Sequence, residues 1–177
     1  HGSEHSFPTR RSSDLQNFGA LSEELAGLEA IYNSNRAAFE AQKQLHPDER
    51  VEDANEPLYY HLRDMYNGLI LAEYSDAALY FYINKIAYSG MIRYNARGEF
   101  NVPYGRYKYF NTGMITEAHH NLLANTEIHN GDYGQIFNLA MPEDFIFLDP
   151  PYDCIFSDYG NEEYREGFNE ANHRQLA

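Results

Sequence analysis

The 177-residue chain carries 27 acidic against 13 basic side chains, a formal charge of −14, and is 43% hydrophobic. That length suits one domain with a real core and is too short for two comfortable ones. No apolar run nears the roughly 20 residues of a membrane span and no signal segment opens the chain, so a soluble, cytoplasmic protein is expected. Cys154 is the only cysteine, which excludes an internal disulfide and a thiolate zinc cluster.

In chain order, "HGSEHSFPTRRSSDL" has no apolar periodicity, and His5 to Leu15 read like a translated sequencing adapter. Residues 1–15 are therefore expected to be an artefact without fixed structure. From Leu21 to about Gln44, Leu21, Leu25, Leu28 and Tyr32 recur at helical spacing behind Glu23 and Glu24, whose charges suit a helix N-terminus. The polar stretch His46 to Pro57 reads as a connection, with Pro57 fitting the first turn of a helix over Leu58 to Asn67. Ser75 can cap a third helix, Asp76 to about Tyr88, apolar on almost every side and so expected to be buried.

The segment Ser89 to Phe110 has glycines at 90, 98 and 105, Pro103 and short apolar pieces, a pattern that predicts irregular loops and a hairpin. Charge singles it out as well. From Lys85 to Lys108 the cations Lys85, Arg93, Arg97, Arg106 and Lys108 face Glu99 alone, a net of +4 in an acidic chain. The overall acidity argues against polyanion binding by the whole surface, yet this local patch can meet phosphates.

Further along, Thr116 to Ala124 predicts a short helix, Thr126 to Asn130 a short strand, and Gly134 to Ala140 another short helix. Phe145 to Leu148 is an uninterrupted apolar run of the kind found inside a parallel sheet. This alternation of helix and strand predicts an α/β protein. Asn169 can cap a final helix that the sequence cuts after two turns, so the chain is expected to continue at both ends.

At the end of the predicted strand stand Asp149, Pro150, Pro151 and Tyr152. In open α/β sheets ligands bind beyond the carboxyl ends of the strands. Two prolines hold the backbone extended and remove two N–H donors, leaving carbonyls, an acid and an aromatic face for a ligand. An ordinary Pro-terminated turn is the plain alternative.

"DPPY" after an apolar strand resembles the catalytic motif of amino-methyltransferases that use S-adenosylmethionine. "RYNARGEFNVPYGRYK", Arg93 to Lys108, resembles the target-recognition segment of the Dam-like (D12 class) DNA adenine-N6 methyltransferases. The resemblance runs from about Leu21 to Ala177. It implies a partial doubly wound methyltransferase sheet with a mainly helical target-recognition subdomain and a β-hairpin. Residues 16–125 would be the recognition region, with the DNA-reading hairpin at about 89–110, and 126–177 part of the catalytic core.

The resemblance also implies roles. The amino lone pair of adenine is delocalised into its ring; acceptors on both N–H bonds, the Asp149 carboxylate and the Pro150 carbonyl, would localise it, and the flipped base would stack on Tyr152. Arg93 would make a bidentate contact to a guanine in the major groove, with Tyr88, Ser89 and Met91 touching bases or wedging into the stack. Arg106 and Lys108 would hold phosphates, Pro103 would pack on a base edge, and Asn95, Arg97 and Asn101 complete the DNA-binding set. Family members commonly carry Asn where Ser89 stands, which leaves GATC only one possible target. Glu99 reads as a partner within the loop.

"HNGDYG", His129 to Gly134, is similar to the family position where an acid and an aromatic flank the cofactor adenine, implying Asp132 and Tyr133; an Asp-Gly turn is the plain alternative. By the same resemblance Asp149 would also approach the methionine end of the cofactor. A glycine-rich cofactor loop of the family's F-x-G-x-G type has no counterpart ahead of Leu21. The 177 residues alone are therefore expected to bind S-adenosylmethionine poorly.

Rival chemistries fit less well. Cytosine-C5 methylation sets its cysteine beside a single proline, unlike Cys154 after Pro-Pro-Tyr-Asp. No metal is expected, since His119 and His120 would point about 100° apart on a helix and no H-x-x-x-H pair appears. Two further readings stay open: a catalytically silent DNA-binding module, and amino methylation of another substrate. The hairpin counts against the second when the substrate is A-form RNA, whose major groove side chains cannot read. Ser157 to Phe168 reads as a loop over the site.

Overall fold

The computed structural model describes residues 17–129, 131–149 and 174. It divides into two units, His1–Ile128 and His129–Ala177. The adapter-like start, Pro150, Pro151, Tyr152, Cys154, the Ser157 to Phe168 loop and the cap at Asn169 lie outside the described residues.

The first unit is built on three helices. Helix α1 (Phe18–Leu45) turns Leu25, Leu28 and Tyr32 inward, with Leu21 packing at the edge of the same stripe. Helix α2 (Asn55–Tyr66) carries Pro57 in its first turn, where the missing N–H breaks no helical bond, and buries Tyr59, Leu62 and Met65. Helix α3 (Asp76–Ile86) starts at Ser75, whose Oγ accepts from the Ala78 amide at 3.3 Å. The Glu24 carboxylate on α1 accepts from the Ser75 amide at 3.1 Å, so the cap also ties α3 to α1. With Ala78, Leu79, Tyr82, Ile83 and Ile86 all buried, α3 is the central helix its composition predicts.

Phe100, Val102, Tyr104 and Phe110 complete this core from the segment that follows. Aromatic edges meet faces there: Phe110 lies 5.0 Å from Tyr82 and 6.1 Å from Tyr32, ring centre to ring centre. A short helix, α4 (Glu117–Ala124), follows Thr116, and α5 (Gly134–Phe137) belongs to the second unit. Neither buries a residue.

The expected α/β sheet is corrected by the structure. Among the described residues there is no β-strand: the regular elements are five α-helices and one 3₁₀ turn, Tyr88–Gly90, and pairing is limited to two isolated antiparallel bridges, Ala87 with Tyr104 and Tyr94 with Phe100. The predicted β-hairpin is accordingly a loop, and neither the Thr126 to His129 part of one predicted strand nor Phe145 to Leu148 forms a strand. A strand exists only through ladder partners, and an apolar run without them stays open to solvent. Phe145 is 90% and Phe147 78% exposed, the opposite of an inner strand.

The two limbs do pair briefly, the Asn95 amide donating to the Glu99 carbonyl at 2.9 Å and the Asn101 amide to the Arg93 carbonyl at 3.1 Å. Side chains from the helices hold backbone groups that face away from this pairing. Asn67 bonds both the amide of Phe100 (2.8 Å) and its carbonyl (3.1 Å). The Tyr59 hydroxyl donates to the Val102 carbonyl at 2.9 Å, the Tyr32 hydroxyl to that of Tyr107 at 2.6 Å, and Asn33 bonds both the amide and carbonyl of Phe110.

Burial of these phenols has a consequence at high pH. Desolvation pushes the Tyr59 hydroxyl up to about 12, and it raises Tyr32, Tyr66, Tyr82 and Tyr104 as well. A phenol is neutral when protonated, so these groups are without pH effect below the unfolded value of about 10. Above it the unfolded chain releases protons that the folded chain retains, and stability falls as pH rises through about 12. Titration followed by tyrosinate absorbance should show exposed phenols ionising first, then a cooperative step coincident with loss of helical circular dichroism.

Candidate nucleic-acid interface

Residues 87–110 leave α3, turn twice and return along the core. Ile86 starts the path: its carbonyl accepts from the Gly105 amide at 2.8 Å, while the Tyr88 amide donates to the Pro103 carbonyl at 2.9 Å. On the returning limb Phe100, Val102 and Tyr104 point inward and alternate with half-buried Asn101 and exposed Pro103. Period-two alternation thus survives without a sheet, because the limb is anchored through Asn67, Tyr59 and Arg63 instead.

Gly105 is required at this crossing. A Cβ there would stand 2.5 Å from the Tyr107 ring, 2.8 Å from the Ile86 carbonyl oxygen and 3.0 Å from the Ala87 carbonyl carbon. The backbone atoms cannot yield as a side chain can. Gly105→Ala should destabilise the first unit by about 2 kcal/mol, read as a lower urea midpoint at unchanged slope.

Two tips emerge from this framework. The first is the turn Tyr88 to Met91, with Ser89 at φ 55° and Gly90 at φ 62°, both left-handed. A serine in that region is unusual, and it sets Tyr88 and Met91 outward as exposed apolar side chains. The second is the turn Asn95 to Glu99. Asn95 Oδ1 accepts from the amides of Arg97 (2.9 Å) and Glu99 (3.1 Å), and its Nδ2 donates to Glu99 Oε2 at 2.7 Å. Gly98, at φ 77°, closes the turn. Glu99 also lies 4.0 Å from Arg97, the partnership within the loop that its charge suggested.

The cations face outward. Arg93, Arg97, Arg106 and Lys108 are exposed, as are Tyr88, Ser89, Met91 and Pro103, whereas Asn95 and Asn101 are half-buried. Arg93 Nε donates to Asn101 Oδ1 at 2.8 Å and its Nη2 to the Asn101 carbonyl at 3.2 Å. Arg106, at φ 57°, pairs with Glu56 at 3.3 Å in an exposed ion pair that a phosphate can displace at little cost. Beneath it Asp53 Oδ2 accepts from Tyr104 at 3.0 Å and lies 3.4 Å from Arg36. The loop is irregular in its sequence pattern and pinned in structure.

Sequence reasoning missed the residues that do the pinning. Asn67, Tyr59, Asn33 and Asp53 are 33 to 77 positions from, or separated by a helix from, the backbone or hydroxyl groups they hold. Asn67 followed by Gly68 marks a helix end and nothing more.

In the second unit Asp132 and Tyr133 sit immediately before α5. Asp132 Oδ1 accepts from the Gly134 amide at 2.8 Å, the turn that an Asp-Gly pairing suggests, and the Tyr133 ring meets Phe137 edge-on at 5.9 Å. Asp149 is exposed.

A basic loop held on a helical core and an Asp-Pro-Pro-Tyr motif further along occur in one chain. The family model for D12 class N6 adenine-specific DNA methyltransferases matches residues 27–177, and the chain belongs to that family. Among its relatives, the type II methyltransferase M.CviBI of Paramecium bursaria Chlorella virus NC1A is 38% identical over 144 residues, covering 79% of this chain and 53% of the viral protein. The type II methyltransferase M.MjaIII of Methanocaldococcus jannaschii is 36% identical over 107 residues, 57% of this chain and 36% of the archaeal one. The retron Ec67 DNA adenine methylase of Escherichia coli is 32% identical over 125 residues, 69% of this chain and 42% of that protein. The chain thus spans about half the length of these relatives or less.

S-adenosylmethionine is the cofactor of this family. The described residues do not fit it by themselves. Asp132 offers one further carboxylate oxygen and Tyr133 an aromatic face, but Gly131, Asp132 and the run from Phe145 to Asp149 are exposed, and an adenosine needs walls on several sides. Among the described residues no helix is long and apolar enough to cross a membrane.

Proposed function

We propose that the protein carrying this chain is a cytoplasmic, site-specific DNA adenine-N6 methyltransferase acting on a short duplex site such as GATC. The observation that carries this reading is the outward display of Arg93, Arg97, Arg106 and Lys108 on a loop whose backbone is held by core side chains. A pinned loop presents its donors to the major groove without the ordering entropy a floppy one would lose. Residues 16–125 then serve as the recognition region and 126–177 as part of the catalytic one.

Within that reading Arg93 reads a guanine, Tyr88, Ser89 and Met91 enter or touch the stack, and Pro103 packs against a base edge. Arg97, Arg106 and Lys108 meet phosphates, and Asn95 shapes the second tip. Asp149 and the Pro150 carbonyl accept hydrogen bonds from the two amino N–H groups of a flipped adenine, Pro151 keeps that carbonyl turned to the base, and Tyr152 stacks on its ring. Asp132 and Tyr133 would flank the cofactor, which when bound would supply the methyl group from its sulfonium and depart as the neutral thioether. Those two hydrogen bonds raise the nucleophilicity of the amino nitrogen, and the one proton it loses would pass to Asp149 or to water.

The test is transfer of labelled methyl from S-adenosylmethionine to duplexes with and without GATC. Labelling confined to the GATC duplex supports both the chemistry and the site. Duplex binding without transfer would favour a silent DNA-binding module, the reading suggested by a well-built basic loop in a chain whose described residues do not enclose a cofactor.

A further inference from the structure

Arg93 is fixed before any DNA arrives. A guanidinium has two edges able to grip a base: the side edge, Nε–H with one N–H of Nη2, and the end, one N–H from each Nη. Here Asn101 occupies the side edge completely, taking Nε on its Oδ1 at 2.8 Å and Nη2 on its backbone carbonyl at 3.2 Å. The Asn101 amide in turn donates to the Arg93 carbonyl at 3.1 Å, so the two residues are bound together at three points across the loop. Asn101 itself is half-buried between Phe100 and Val102, both of them core residues locked by Asn67 and Tyr59.

Resting on the DNA reading above, we infer that Asn101 is a positioning residue for base recognition: it commits Arg93 to an end-on approach, so that Nη1 and Nη2 address the O6 and N7 of a guanine. The side chain of Asn101 acts through Arg93 and makes the guanine preference of the loop depend on a residue that touches no base. An exposed arginine left to itself samples many rotamers, and both edges are then available to phosphates as readily as to bases. Holding the side edge removes that choice. Specificity gains more than affinity, because phosphate attraction from Arg97, Arg106 and Lys108 is untouched.

The test compares the chain, Asn101→Ala, Arg93→Ala and the double variant on two duplexes: one containing GATC, and the same duplex with 7-deazaguanine, which keeps its base pair but lacks N7. The parent chain should prefer the first by about tenfold. Asn101→Ala removes the Oδ1 contact to Nε and should weaken binding of the GATC duplex more than that of the 7-deazaguanine duplex, narrowing the preference, and should narrow it no further in Arg93→Ala. In the DNA-free chain, the 15Nε–1Hε resonance of Arg93 should shift or broaden in Asn101→Ala. Equal weakening on both duplexes, an intact preference, or an unmoved resonance would each overturn the positioning role. If the parent binds neither duplex although the Arg93 resonance responds to Asn101→Ala, the DNA reading itself falls, and base recognition by this pair with it.

Discussion

In the protein that carries this chain, Asp149→Ala should abolish methyl transfer while leaving duplex binding within about twofold of the parent. Adenine's amino nitrogen shares its lone pair with the ring, and an acceptor on its N–H bond is what returns that pair to nitrogen as the methyl group arrives. Loss of one positioned proton acceptor typically costs about 10²- to 10⁴-fold. Asp149 is exposed in the second unit, whereas the basic loop belongs to the first. Its removal should therefore change stability by no more than about 0.5 kcal/mol. Asp149→Asn retains one acceptor oxygen and should keep a measurable fraction of the rate. Labelled methyl transfer, run beside duplex anisotropy, reads both quantities; a variant that loses binding and transfer together would argue against a catalytic role.

The largest effect on stability should come from Asp53→Ala. Asp53 Oδ1 accepts from the Asn55 amide at 3.1 Å at the start of α2, and its Oδ2 serves both Tyr104 at 3.0 Å and Arg36 at 3.4 Å. The side chains of this pair are only 7% and 14% exposed, so water cannot replace the lost carboxylate freely. Arg36 already has a buried Nε without a hydrogen-bond partner and would keep one carboxylate, Glu40 at 2.6 Å, beside the Phe39 ring it covers at 4.7 Å. Breaking such a pair from one side costs about 3 kcal/mol, a fall of more than about 10 °C in melting temperature for a unit of this size. Asp53→Asn keeps an acceptor for Tyr104 and should cost less. Because Tyr104 and Tyr107 flank Arg106 in sequence and both bond the Tyr32 hydroxyl, the same variant should also loosen the Arg106 end of the loop. Chemical denaturation and the salt dependence of duplex binding would separate the two consequences.

Much of the helical unit was legible from spacing. Leu21, Leu25, Leu28 and Tyr32 define a stripe that only a helix can put on one side, Ser75 caps where it was expected to, and the apolar composition of α3 anticipates its place at the centre. The outward cations of the recognition loop were also readable, since an unpaired charge is rarely buried and Glu99 alone could not neutralise five. The strands were not. Apolar runs such as Phe145 to Leu148 state that a segment could pair, but pairing needs a second strand that local pattern does not supply.

By itself, then, the sequence determined the helices, the basic character of residues 85–108 and the Asp-Pro-Pro-Tyr motif, because each depends on neighbours a few positions away. Only the tertiary structure decided how the basic loop is held. Asn67, Tyr59, Tyr32 and Asn33 reach across 33 to 77 positions to satisfy the backbone groups that its own brief pairing leaves outward. A backbone N–H or carbonyl bonds to whichever partner folding brings within about 3 Å, and for this loop the helices arrive with side chains where a sheet would have brought another strand.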